Sequence, residues 1–226
     1  MLDYLEAECR SVDALVITHL HLDHVGGVPT LLAHGIPIRH CYLPYGATRA
    51  KVDAQAMQIL QSLADAGVPI TELSAGDTLQ LNAASLQVLW PVAEAVDRIA
   101  EAGTVSANVY SLATATDFGG YTLLSAADTT DAYDRYWAQP CDVLKVAHHG
   151  ASDSTSAAFL QTAQPRAALF TCRSNARLPA ADAVRRVADA GAALLRTDRC
   201  GDITLTVQNG QLHLTPYCHY REEALP

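Results

Sequence analysis

The sequence predicts an α/β fold in which helices pack on sheets within a single domain spanning residues 1–226. Three observations carry that prediction. Short apolar runs alternate with stretches of helical period, Gly and Pro punctuate the chain between them, and half of the residues are hydrophobic, enough for a sizeable core. There is no low-complexity tract, no internal repeat and no linker.

In chain order, residues 2–9 read as a short helix and the apolar run Ala14, Leu15, Val16, Ile17 as a buried strand. A polar, histidine-rich turn follows, then a helix over 28–34 that Gly35 ends and a strand over 38–43. Val52, Ala56, Ile59, Leu60 and Leu63 fall at i, i+4, i+7, i+8 and i+11, the stripe of a core-facing helix closed by Gly67. Strands are expected over 70–73, 78–81 and 86–90, the first two separated by a Gly76-Asp77 turn, and a helix with a loop over 92–106. Residues 109–115 and 121–125 read as a hairpin through Gly119-Gly120. Strand–helix units over 143–146, 156–163, 167–171 and 181–190 lead to a last hairpin, 203–207 with 212–215, around Asn209-Gly210.

Composition excludes several classes. No apolar run approaches the roughly 18 residues of a membrane span, and no basic, apolar leader opens the chain, so a soluble, cytoplasmic protein is expected. Cys9, Cys41, Cys141, Cys172, Cys200 and Cys218 contain no Cys-x-x-Cys pair, which argues for reduced thiols rather than a zinc ribbon. A net charge of −9 disfavours a broad nucleic-acid-binding surface but not a nuclease, because bound dications change the local field. Phosphate loops, nucleophile elbows and dinucleotide fingerprints are absent.

The chemistry concentrates in Thr18-His19-Leu20-His21-Leu22-Asp23-His24-Val25-Gly26-Gly27. Three imidazoles and a carboxylate within six residues suit zinc or a similar transition metal better than calcium or magnesium. On an extended segment His19 and His21 share a side and can grip one ion, while Asp23 and His24, where the strand turns, can address a second. Asp128, just after the run 121–125, either ligates metal, bridging two ions, or caps the helix that Asp128-Thr129-Thr130-Asp131 would start. His148-His149-Gly150 also lies at a strand end. Adjacent side chains there point oppositely, so one is the expected ligand, His149, and His148 orients a neighbour or touches substrate. His34, His40, His213 and His219 lack such neighbours and read as structural or exposed.

The His-x-His-x-Asp-His run resembles the signature of the metallo-β-lactamase superfamily. That resemblance implies an αββα sandwich with a metal site on loops after strands, and hydrolysis of an ester, amide, thioester or phosphodiester by a metal-activated water. The order of further segments is similar to the corresponding domain of ComEC-type competence proteins, which take up DNA in bacteria. These segments are Leu15 to His19, Leu86-Gln87-Val88-Leu89-Trp90-Pro91, Asn108-Val109-Tyr110-Ser111-Leu112, Leu123 to Asp128, and Asp142 to Gly150. In that family the domain is thought to process a DNA strand, which implies a nucleic-acid or small-molecule phosphodiester substrate here.

On this resemblance one ion is held by His19, His21 and His149, a second by Asp23 and His24, with Asp128 as bridge. Zinc, one ion or two, is expected, with manganese as the substitute, and Asp23 and Asp128 are the residues closest to the chemistry. The sequence departs from the family pattern in three ways. Ala127 stands where Gly usually precedes the aspartate. Leu178, in Asn175-Ala176-Arg177-Leu178-Pro179, stands where an imidazole is usual, leaving the second ion one ligand short. The two or three opening strands of the family are missing ahead of residue 2. This implies either a start upstream or an exposed sheet edge that a second copy or a partner covers.

Overall fold

The structure, a computed structural model, describes residues 11–103, 105–173 and 177–217. The helix expected over 2–9, together with Cys9, Asn175, Ala176, Cys218 and His219, lies outside the described residues. The chain divides into two compact units, one formed by Met1–Asp77 with Val88–Leu112, the other by Thr78–Gln87 with Ala113–Pro226.

In the first unit β1 (Leu15–Val16), β2 (Cys41–Pro44) and β3 (Ile70–Leu73) form a parallel sheet in that order, with Val16 opposite Tyr42 and Tyr42 opposite Thr71. Between β1 and β2 run α1 (Leu22–Val25) and α2 (Val28–Ala33), and between β2 and β3 runs α3 (Ala54–Asp65). The expected stripe buries Ala56, Ile59, Leu60 and Leu63 of α3 in one cluster with Ile17, Leu31 and Leu43. Asp53 caps α3 by accepting the Gln55 N–H at 2.8 Å. The chain leaves this unit for β4 (Thr78–Leu81) and the start of β5 (Ala84–Trp90), and returns for α4 (Ala93–Ala102). Among the described residues β1 ends its sheet, pairing with β2 on one side.

The second sheet has seven strands in the order β10-β9-β8-β7-β6-β5-β4. Its new members are β6 (Ala113–Phe118), β7 (Tyr121–Ser125), β8 (Val143–Lys145), β9 (Ala167–Phe170) and β10 (Ala193–Arg196). β6 and β7 are an antiparallel hairpin, whereas β7 to β10 run parallel. Helices α5 (Ala157–Ala163) and α6 (Ala181–Asp189) are the crossovers, and α7 (Thr197–Cys200) precedes a separate hairpin of β11 (Ile203–Gln208) and β12 (Gln211–Pro216). The central strands β8 and β9 are apolar but for Lys145, as strands covered on both faces require: Val143, Leu144, Ala168 and Phe170 are fully buried.

Four expectations are corrected. The strand before the metal motif ends at Val16, so His19 and His21 lie beyond it, and Asp23 and His24 sit in the single turn of α1 rather than in a loop. Residues 109–112 are not strand. Ala107–Tyr110 form a 3-10 turn capped by Ser106, whose Oγ accepts the Asn108 N–H at 3.3 Å, and β6 begins at Ala113. β10 and α7 were not anticipated. Finally, the cap alternative for Asp128 drops out, because the 3-10 turn Asp131–Tyr136 is entered through Thr130. Among the described residues no helix is long and apolar enough to cross a membrane.

Candidate metal centre

The first cluster hangs from the C-terminal end of β1. The Ile17 N–H donates to the Tyr42 carbonyl at 2.9 Å, and the Thr18 carbonyl accepts the Leu112 N–H at 2.8 Å, so both flanks of the turn are pinned before the histidines begin. His19 is fully buried. His19 Nε2 lies 3.2 Å from His21 Nδ1, and the His24 ring is 4.0 Å, centroid to centroid, from that of His19. Thr18 Oγ1 sits 3.4 Å from Nδ1 of both His19 and His24. Asp23 is exposed, its Oδ2 3.7 Å from His24 Nε2.

Donor geometry here suits a dication. Two nitrogens on one tetrahedral zinc at about 2.0–2.1 Å are separated by about 3.4 Å. The His19 and His21 nitrogens are already within a fraction of an ångström of that spacing. The pair was expected to align because both lie on a strand. It aligns instead because His21, still extended at φ −89° and ψ 148°, is the residue that starts α1.

The second cluster is set by strand register. Ser125 of β7 is opposite Lys145 of β8, and Lys145 is opposite Leu169 of β9. Three residues past Ser125 comes Asp128, three past Lys145 comes His148, and two past Leu169 comes Thr171. Parallel neighbours thus deliver their loops to one end of the sheet, where α/β proteins bind ligands. Asp128 is only 2% exposed. Its Oδ2 lies 3.5 Å from His149 Nε2 and 4.0 Å from His148 Nε2, while its Oδ1 faces Lys145 Nζ at 3.8 Å.

His149 Nδ1 is 2.6 Å from the Thr171 carbonyl oxygen. A carbonyl only accepts, so Nδ1 carries the hydrogen and Nε2 keeps the lone pair a metal needs. The Asp128 carboxylate raises the His149 imidazole above its usual range, against the opposing effects of burial and of nearby Lys145. The expectation that His148 and His149 point oppositely fails, because His148, His149 and Gly150 all take positive φ (48°, 54° and 84°). That left-handed turn carries both imidazoles to the same carboxylate oxygen.

Supports around this turn had no signal in residue type. Arg186 donates to three carbonyls, from Nε to Thr155 (3.0 Å) and from Nη2 to Ser152 (3.1 Å) and Ser154 (3.0 Å). The loop it clamps holds Ala147 at both ends. Thr155 Oγ1 accepts the Ala147 N–H, and Ser154 Oγ donates to the Ala147 carbonyl. Lys145 was legible in principle, as a lone charge between Leu144 and Val146.

The loop bearing Leu178 returns to the same turn: the Ala180 N–H donates to the Gly150 carbonyl at 2.9 Å. Leu178 offers no donor atom. Cys41 and Cys141 are poor candidates as ligands, since burial pushes their thiols up to about 11 and about 12. His34 and His213 are exposed, and His40 Nε2 pairs with Thr71 Oγ1 at 2.8 Å.

Known proteins resemble this chain in sequence and in fold. The family model for the metallo-beta-lactamase superfamily matches residues 2–81. ComE operon protein 3 of Bacillus subtilis (strain 168) is 30% identical over 207 residues, covering 88% of this chain. The chain spans 25% of the length of that relative. Among solved structures, CmlA, a diiron beta-hydroxylase from Streptomyces venezuelae, is similar at a TM-score of 0.55 and 18% identity, over 83% of this chain and 44% of that one. The metallo-beta-lactamase fold protein YhfI from Bacillus subtilis is similar at 0.50 and 12% identity, over 85% and 78% respectively.

Proposed function

We propose, from the match of residues 2–81 to the metallo-beta-lactamase superfamily model, that this chain is a metal-dependent hydrolase cleaving a phosphodiester. The observation that carries the reading is the pair of imidazole nitrogens on His19 and His21, 3.2 Å apart at the spacing one zinc would impose. His19, His21 and His149 would hold one ion, and Asp23 with His24 a second, with Asp128 shared between them. Zinc fits this imidazole and carboxylate set, and manganese is the expected substitute. When bound, such ions polarise the scissile phosphoryl group and bring the pKa of water towards about 7.

The protein's own groups divide the remaining work. Thr171 fixes the His149 tautomer so that Nε2 stays available. If only one ion binds, Asp23, exposed beside His24, would instead act as the proton shuttle. The phosphodiester class rests on the resemblance to ComEC-type proteins. For partners, a further strand from another copy or another polypeptide would pair along β1, whose outer side is open among the described residues. The buried, protonated thiols of Cys41 and Cys141 fit a cytoplasmic setting.

The test is elemental analysis of protein purified without chelator, read beside a panel of bis(p-nitrophenyl) phosphate, thioester and lactone substrates. Metal and phosphodiester turnover, both lost in His21→Ala, are expected. Turnover confined to the thioester or lactone would move the substrate class, and a metal-free, inactive protein would identify a binding domain. Leu178, which contributes no ligand beside the His149 turn, favours that last reading, as does the open outer side of β1 among the described residues. Leu178 also makes the second ion the weaker one. Added Mn²⁺ should raise hydrolysis, and Leu178→His should tighten that site by about tenfold or more in metal titration.

A further inference from the structure

Asp128 is buried between unlike neighbours, and its two oxygens face different groups. Oδ2 is turned to the imidazoles of His149 and His148, whereas Oδ1 is turned to Lys145. Lys145 reaches this position from β8, in a run whose neighbours Leu144 and Val146 are fully buried. Its ammonium donates to the Ala127 carbonyl at 3.0 Å. That same carbonyl accepts the His148 N–H at 2.8 Å. Ala127 adopts φ +44°, a left-handed conformation that strains an alanine and needs external support.

One cation therefore ties together the strained residue before the carboxylate, the carboxylate itself and the turn that carries the histidines. Resting on the reading of Asp128 as a metal ligand, we propose that Lys145 is a positioning residue that presents Asp128 to the metal through Oδ2 alone. The ammonium occupies the Oδ1 side electrostatically and, through the Ala127 carbonyl, fixes the turn from which Asp128 projects. Groups that orient a metal-binding side chain from behind typically set metal affinity within about 10–100-fold. Asp128 then serves the ions by sharing one oxygen, and the other stays with the protein.

The experiment compares Lys145→Met, Lys145→Arg and Asp128→Asn in the full chain by competitive titration with Co²⁺, following the visible d–d bands as well as affinity. Lys145→Met should weaken Co²⁺ binding by about 10–100-fold. It should also change the band positions, because Asp128 rotates and both oxygens become available. Lys145→Arg keeps the charge and a donor and should restore most of the affinity, with bands close to those of the parent. Lys145→Met with parental affinity and spectrum overturns the proposal. So does weakened binding with an unchanged spectrum, because a merely structural loss would leave the coordination sphere as it was. If Asp128→Asn itself leaves affinity and bands unchanged, the assignment of Asp128 as a ligand fails first, and the role of Lys145 falls with it.

Discussion

His149 is the proposed ligand at which protons and metal would compete most directly. Its folded pKa is raised, chiefly by the hydrogen bond to Asp128. In metal-free protein the Asp128–His149 pair therefore contributes stability that is complete below the unfolded imidazole value of about 6.5 and is lost as pH rises through the higher folded value. Metal binding has the opposite sign, since the ligand must shed that proton. With chelator present, His149→Ala should lower the melting temperature more at about pH 5.5 than at about pH 9. Metal titrations of the parent should already weaken on acidification while pH is still above about 6.5. Equal destabilisation at both pH values would remove the Asp128 contact from the account. Gly150 makes a separate prediction. At φ +84° a Cβ would stand 2.7 Å from both a Phe170 ring carbon and Pro179 Cβ. Gly150→Ala combines strain with a clash in a packed corner and should cost about 2–4 kcal/mol in denaturant unfolding. A midpoint near that of the parent would mean the turn can relax.

At the level of elements, the turn at the end of β8 depends on a helix distant in sequence. Arg186 of α6 satisfies three carbonyls of the 152–155 loop, and that loop grips Ala147. Arg186→Met should lower stability by about 2–3 kcal/mol, charged hydrogen bonds being among the stronger ones. Arg186→Lys should recover less than half of that, because an ammonium lacks the planar fork. Urea midpoints of the three proteins decide this.

The same elements show what a one-dimensional reading reaches. α3 was legible because its apolar period and the Asp53 cap agree, and β3, β4 and β7 because apolar runs there meet clear turns. Val109 and Tyr110 misled because they are strand-forming types. A Ser106 cap and the bond from Trp90 Nε1 to the Val109 carbonyl hold them in a 3-10 turn. β10 was hidden for the reverse reason: Ala193-Leu194-Leu195-Arg196 are good helix formers, made strand by the ladder with β9. In the two clusters, residue type betrayed the histidines and aspartates. Thr171 and Arg186 reach their partners through register and loop closure, which no local pattern encodes, whereas Lys145 stood out only as a charge in an apolar run.

For the molecule as a whole, the route of the chain matters as much as its elements. It passes between the two compact units after Asp77, after Gln87 and after Leu112. β4 and β5, which extend the seven-stranded sheet beyond β6, are thus encoded ahead of α4, which belongs to the other unit. A fragment comprising residues 113–226 should therefore expose the edge of β6 and self-associate, with non-cooperative melting by circular dichroism. A monomer with one sharp transition in sedimentation and melting would show that five strands suffice. His19, His21, Asp23 and His24 precede the first of these passages, and Asp128, His148 and His149 follow the last. Recombination exchanging one contiguous stretch of gene cannot replace either unit without also dividing the other. The two groups of candidate ligands can therefore be exchanged separately only by a recombination that also breaks a unit.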